Sequence, residues 1–258
     1  MITIRRILLV LFSALYWTFF VLSCIFMFLI AFLIWLITLI PDRKLIILHR
    51  FSSLWGYMYI RFNPLWHCRI YGRNKIKRGQ TYVIISNHQS MLDILVLYGL
   101  FRHYKWVSKK ENFSIPIIGW LMRLNRYLEI DRGKLSSSAK LIAEARQCLE
   151  QGNSLLMFPE GTRYPGETLG PFRDGAFRMA LENHIGILPV LLKGTASTIP
   201  KGSLILTGKQ KILVKIFDEI PYESFRNKDL KELIREVREF MMREYDRLTH
   251  HEGMLKEV

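Results

Sequence analysis

Three cysteines in 258 residues, Cys24, Cys68 and Cys148, are too few and too widely spaced for a disulfide framework. No C-x-x-C pair occurs among them, and His250-His251 near the C-terminus has no evident third ligand, so no metal site is expected. The three thiols read as reduced structural groups facing a cytosolic environment. Acidic residues are scarce as well, 22 against 37 Lys and Arg, which leaves a net charge of +15. No G-x-S-x-G appears, which excludes the nucleophile elbow of a lipase-type hydrolase. Internal repeats and Ser/Gly-rich linkers are missing too, so residues 42–258 read as one domain. With 50% hydrophobic and 23% charged residues, the chain is not a disordered one.

The longest absence lies at the N-terminus, where residues 7–40 hold no charge, no glycine and no proline. A bilayer span needs only about 20 apolar residues, and a signal peptide has an apolar region of about 7–15 with a small-residue cleavage site. Residues 1–41 therefore read as a membrane anchor. At about 1.5 Å per residue the run measures about 51 Å against a hydrocarbon core of about 30 Å, which implies one long tilted helix or a two-helix hairpin. Arg5 and Arg6 before it and Arg43, Lys44 and Arg50 after it place positive charge at both ends, and this favours a re-entrant or monotopic hairpin. Beyond the anchor, 35 basic residues face 22 acidic ones, a net +13. That balance suits an anionic leaflet, an anionic ligand or nucleic acid. The basic residues are scattered without a recognition motif, so no nucleic acid is expected, and the anchor makes lipid phosphate the better partner.

Past Pro41, short apolar runs at 82–86, 105–108, 155–158, 187–192 and 212–217 alternate with helical patterns, as in an α/β domain. Residues 136–150 carry Ala139, Ile142, Ala145 and Leu149 at helical spacing, with Gly152 just past the end. A second amphipathic helix runs from about 228 to 248. Residues 113–124 are apolar nearly all round, which suits a core helix or an interfacial one, the core being the plainer reading.

Two polar turns follow apolar runs. Asn87-His88-Gln89-Ser90-Met91-Leu92-Asp93 follows the first, and its His88 and Asp93 would stand about 140° apart on a continuous helix. They meet only if His88 lies in the turn before the helix. There Asp93 would fix the imidazole tautomer and leave the other nitrogen to take a proton from a hydroxyl. The plainer alternative is a helix cap beside a solvated histidine. Pro159-Glu160-Gly161-Thr162-Arg163 follows the run at 155–158, with glycine for close backbone approach and Arg163 as a bidentate phosphate donor, or simply as a surface turn.

NHQSMLD at 87–93, an H-x4-D motif, and FPEGTR at 158–163 resemble two signature blocks of the PlsC-type glycerolipid acyltransferases, which include 1-acyl-glycerol-3-phosphate acyltransferases. YLEIDR at 127–132 and ILPV at 187–190 are similar to two further blocks in the expected order, and residues 109–119 resemble the connecting region. Met91 stands at a position variable in the family, and Glu129 departs from its more usual apolar run.

The resemblance implies a mixed β-sheet flanked by helices, as in glycerol-3-phosphate acyltransferases, behind a hydrophobic N-terminal anchor. It implies a membrane enzyme of phospholipid biosynthesis with its site facing the cytoplasm, at the inner membrane of a bacterium or an endoplasmic-reticulum-type membrane. The reaction would move a fatty acyl group from acyl-CoA or acyl-carrier protein to the sn-2 hydroxyl of lysophosphatidic acid, giving phosphatidic acid and needing no cofactor beyond the donor. His88 would be the general base, oriented by Asp93. Glu160, Gly161, Thr162 and Arg163 would bind the acceptor, with Arg132, Lys109 and Lys110 as further phosphate candidates. Pro189 would belong to the acyl pocket or to the local architecture. Other acceptors, such as lyso-ornithine lipid or lysophosphatidylglycerol, remain open because these blocks assign chemistry better than substrate. A non-enzymatic membrane lipid-binding protein is the alternative from another class.

Overall fold

The computed structural model describes residues 4–131, 135–166, 168–199 and 203–254. Its elements begin with α1 (Ile4–Thr38) and α2 (Ile46–Arg61), then β1 (Trp66–Tyr71), β2 (Val83–Ser86), α3 (Leu92–Tyr98) and β3 (Tyr104–Lys109). The short helices α4 (Lys110–Phe113) and α5 (Ile118–Leu124) lead to β4 (Leu128–Ile130), α6 (Leu135–Glu150) and β5 (Ser154–Met157). The chain closes with α7 (Gly175–Glu182), β6 (Ile187–Lys193), β7 (Gln210–Ile216) and α8 (Leu230–Met254). One seven-stranded sheet runs in the order β1-β7-β6-β2-β5-β3-β4. β6, β2, β5, β3 and β4 are mutually parallel, and β7 turns back antiparallel to β6.

Burial explains which strands the sequence announced. β2 is buried at all four positions and β6 at six of seven, so each is an almost unbroken apolar run, as a strand covered on both faces requires. β1 and β4 escaped the sequence reading. In β1, Trp66, Cys68 and Ile70 face inward between the more exposed His67, Arg69 and Tyr71, and the polar residues mask the alternation. β4 has only three residues.

Two apolar layers sandwich the sheet. On one side Ile84, Leu156, Val190 and Val214 pack with α2, α3 and the N-terminal half of α1. On the other, Val83, Ile85, Leu155 and Leu191 pack against α6, α7 and α8. α6 ends where glycine predicted it, with Gly152 at φ 76° and Asn153 N–H returning to the Cys148 carbonyl at 3.1 Å.

The apolar run forms one uninterrupted helix, α1, and not a hairpin within itself. The run 7–40 has no glycine, proline, asparagine or aspartate to reverse the chain, and Ser13 and Ser23 turn their hydroxyls onto carbonyls of the helix itself, those of Leu9 and Phe19. The reversal comes at Asp42, whose carboxylate accepts the Ile47 N–H at 2.6 Å and starts α2. α2 then packs back along α1: Ser23 and Tyr59 share a hydrogen bond of 2.7 Å, and Ala31 packs with Leu45 and Leu48. The stripe of α1 that holds Ser13, Cys24 and Ala31 is buried against the body, while Leu8, Leu15, Leu22, Leu29 and Leu36 are all more than half exposed.

Candidate active site

β2, β5, β3 and β4 end at the same edge of the sheet, which is where open parallel sheets place their sites. The turn after β2 carries His88, the turn after β5 carries Glu160 to Arg163, and β3 ends at Lys109. Arg132, after β4, lies outside the described residues.

α3 begins only at Leu92, so His88 sits in the preceding turn, as a meeting with Asp93 required. His88 Nδ1 stands 2.8 Å from Asp93 Oδ2. The same oxygen accepts the backbone N–H groups of Gln89 at 2.6 Å and Ser90 at 2.8 Å. Asp93 is fully buried, and its Oδ1 has no hydrogen-bond partner among the described residues. A carboxylate on Nδ1 holds the proton there and leaves Nε2 as the basic nitrogen. The imidazole lies flat on the ring of Phe158, with centroids 4.0 Å apart and planes within 12°, and Trp106 backs Phe158 at 5.7 Å. These rings limit the rotation of the histidine and keep its surroundings dry.

The turn is tied to the fold on every side. The Asn87 side chain exchanges two hydrogen bonds with the backbone of Leu192 in β6, at 2.9 and 2.7 Å, in place of a strand residue. Gln89 Nε2 donates to the Tyr245 hydroxyl of α8 at 2.8 Å. Tyr164 N–H donates to the His88 carbonyl at 2.7 Å, joining the two motif turns directly. Phe158 is the first residue of the FPEGTR block, whereas Trp106 and Tyr245 were not singled out from sequence. Phe158 alone carried a signal, as the last residue before the Pro-Glu-Gly turn.

Glu160 lies beneath the second turn, almost fully buried. Its Oε2 accepts the His88 N–H at 2.8 Å and its Oε1 accepts the Gly170 N–H at 2.9 Å, so the carboxyl is occupied by the protein's own backbone. Burial pushes its pKa up to about 7; the two N–H donors and Arg238 oppose that shift, and Asp93 adds to it. Gly161 has φ 68°, and a Cβ there would meet Arg173 Nε at 2.8 Å, so the tight turn demands glycine. Thr162 and Arg163 are exposed, and Arg163 has no hydrogen-bond or ion-pair partner among the described residues. Lys109 and Lys110 are exposed at the end of β3, Lys110 standing 3.8 Å from Asp131. Pro189 is buried within β6, in register with Ile85 of β2. Its carbonyl accepts the Phe217 N–H at 3.0 Å where the β6–β7 ladder gives way to the isolated Ile187–Ile220 bridge, a break that tolerates a residue without an N–H. Among the described residues no cluster of His, Cys, Asp or Glu suits a metal.

The family model described as Acyltransferase matches residues 67–193, from β1 to the end of β6. A 1-acyl-sn-glycerol-3-phosphate acyltransferase of Chlamydomonas reinhardtii is 36% identical over 169 residues, covering 64% of this chain and 50% of that protein. The enzyme of the same name from Saccharomyces cerevisiae is 32% identical over 166 residues, covering 62% and 54%. The chain thus spans about half the length of these curated relatives. The crystal structure of PlsC from Thermotoga maritima, titled a 1-acyl-sn-glycerophosphate acyltransferase, superposes with a TM-score of 0.74 at 24% identity. It covers 96% of this chain and 98% of that one, a likeness of fold.

Proposed function

Because residues 67–193 match the family model described as Acyltransferase, we propose that this protein is a membrane-bound 1-acyl-glycerol-3-phosphate acyltransferase, with residues 1–41 as anchor and 42–258 as the acyltransferase body. The observation that carries this reading is the His88–Asp93 pair, which leaves Nε2 basic at the mouth of two joined turns. The donor is a fatty acyl thioester of CoA or acyl-carrier protein, and the acceptor is lysophosphatidic acid.

The sn-2 hydroxyl is a weak nucleophile. His88 Nε2 takes its proton as the oxygen attacks the thioester carbonyl carbon, and the imidazolium is stabilised by Asp93. Collapse of the tetrahedral species breaks the carbon–sulfur bond, and the imidazolium returns the proton to the leaving thiolate. The ester is formed, the free thiol departs and His88 is restored, with no acyl-enzyme on the path. Arg163, Thr162, Lys109 and Lys110, exposed on the same edge, hold the acceptor phosphate, with Arg132 as a further candidate. Glu160 serves the reaction by fixing the His88 backbone.

The packing of α1 supports a one-leaflet membrane geometry for this reading. It is about 52 Å long, and from Phe12 to Trp35, about 35 Å, it packs on the body. A helix glued to the body over that length cannot cross a core of about 30 Å by itself. It lies along one leaflet with its exposed leucines in lipid, and the body rides at headgroup level, where lysophosphatidic acid is found.

The test is acyl transfer by the detergent-solubilised protein to a panel of lysolipids, from acyl-CoA and from acyl-carrier protein. Wild type is expected to acylate lysophosphatidic acid, and His88→Ala to lose about 10²–10⁴-fold in turnover while staying folded. Transfer only to another lysolipid would keep the mechanism and replace the acceptor. An undiminished rate in His88→Ala would sink the mechanism.

A further inference from the structure

α5 and the turn before it are less buried than their apolar composition calls for. Ile115 is 36% exposed, Ile118 38% and Trp120 51%, and Gly119 is the one buried residue of α5. Scattered exposed hydrophobics are ordinary on any surface. Here three fall within six residues, and they continue a larger apolar face: Trp120 packs on Phe28 of α1 with centroids 5.7 Å apart, beside the exposed Ile25, Leu29 and Phe32.

The segment is held rigidly in that position. Ile117 takes φ 65°, an uncommon conformation for a β-branched residue, and its side chain packs into the cluster of Cys24, Trp55 and Tyr59 between α1 and α2. Arg123 donates to the Phe113 carbonyl at 2.5 Å and stands over its ring. A Cβ on Gly119 would lie 2.0 Å from the same carbonyl, so α5 folds closely onto the turn. Lys109 and Lys110, exposed at the active-site edge, directly precede the segment.

On the reading that this is a membrane-bound acyltransferase, we propose that residues 115–120 are a second bilayer contact, docking the lip of the active site into the lipid headgroup interface. Charge and chemistry specify the occupant. An indole beside aliphatic side chains suits the boundary between acyl chains and headgroups, and the Trp120 N–H has no acceptor among the described residues. The flanking lysines meet anionic headgroups at the same level. The contact prevents the body from rolling about the α1 axis. It also holds the end of β3 at the depth where the acceptor's phosphate lies.

The experiment compares wild type, Trp120→Phe and Trp120→Glu, all full-length and reconstituted in phosphatidylcholine vesicles containing phosphatidylglycerol. With phospholipid brominated on its acyl chains, the emission lost in Trp120→Phe, which isolates Trp120 from the other five tryptophans, is expected to be the quenched part. Quenching of that part by aqueous iodide and not by brominated lipid would overturn the proposal. In turnover, Trp120→Glu is expected to raise the apparent KM for vesicle-borne lysophosphatidic acid about tenfold. The rate on a short-chain acceptor dispersed in water should be unchanged. Equal losses on both acceptors, or none on vesicles, would overturn it as well. If wild type acylates neither acceptor, the proposed activity fails, and the quenching result still decides the docking.

Discussion

Glu160 gives the residue scale its sharpest prediction. In the fold its carboxyl keeps its proton up to about pH 7, against 4.5 when unfolded. Between these values the folded chain binds a proton that the unfolded chain has released, so the contribution of Glu160 to stability is greatest below 4.5 and is lost as the pH rises through 7, by about 3 kcal/mol in all. Glu160→Gln should remove that slope, and denaturant melts of both proteins across the interval would show it; parallel curves would refute it. The amide also turns a donor toward either the His88 or the Gly170 N–H. Turnover is therefore expected to fall while KM for lysophosphatidic acid stays put, whereas a carboxyl touching substrate would raise KM. For His88 the sequence set a condition: a meeting with Asp93, five residues on, requires the histidine in the turn before the helix, and the structure has it there. Glu160 was legible as a motif residue only. That its carboxyl points inward follows from the packing of Gly170 and Arg238, which lie 10 and 78 residues further on.

At the scale of elements, Lys105 shows what sequence could not disclose. It sits in β3, almost fully buried, with Nζ donating to the carbonyls of Lys44 at 2.9 Å and Asn125 at 2.8 Å. One side chain thereby clamps the α1–α2 turn and the α5–β4 turn to the strand that leads to Lys109. Burial lowers its pKa to about 8. Lys105→Met leaves two carbonyls unsatisfied but relieves a buried charge, and a net loss of about 2 kcal/mol is expected, read as a fall in Tm of about 4–8 °C. The strands read correctly from sequence were those buried on both faces. β1 and β4, at the edges, were missed because one face of β1 meets solvent and β4 is barely three residues long. Of the two forms open for 7–40, the structure has the long helix and not the hairpin that flanking charge favoured: charge reports where an apolar stretch ends, whereas a reversal is made most readily by Gly, Pro, Asn or Asp, and the run has none of these.

The whole molecule does not divide as cleanly as its composition. Residues 1–41 look separable by hydropathy, yet Tyr16 packs edge-on to Trp66, Trp17 donates to the Leu204 carbonyl at 2.7 Å, and Ser13 Oγ accepts the Leu206 N–H at 2.9 Å. Deleting 1–41 would uncover Leu45, Leu48, Trp55, Tyr59 and Trp66, a patch far larger than a soluble surface carries. The truncated chain is expected to aggregate, and size-exclusion chromatography would show it; a monodisperse, active fragment would contradict the expectation.

That bond between Ser13 and Leu206 also has a meaning in time. Ser13 leaves the ribosome 193 residues before its partner, and at about 5–20 residues per second the wait is about 10–40 s. Throughout it the most apolar helix of the protein exists while the loop that will cover its inner stripe does not. The nascent helix must therefore find lipid or a chaperone first, and the sheet is assembled afterwards against a helix already in place. The order of synthesis makes whatever first shelters this helix a participant in folding.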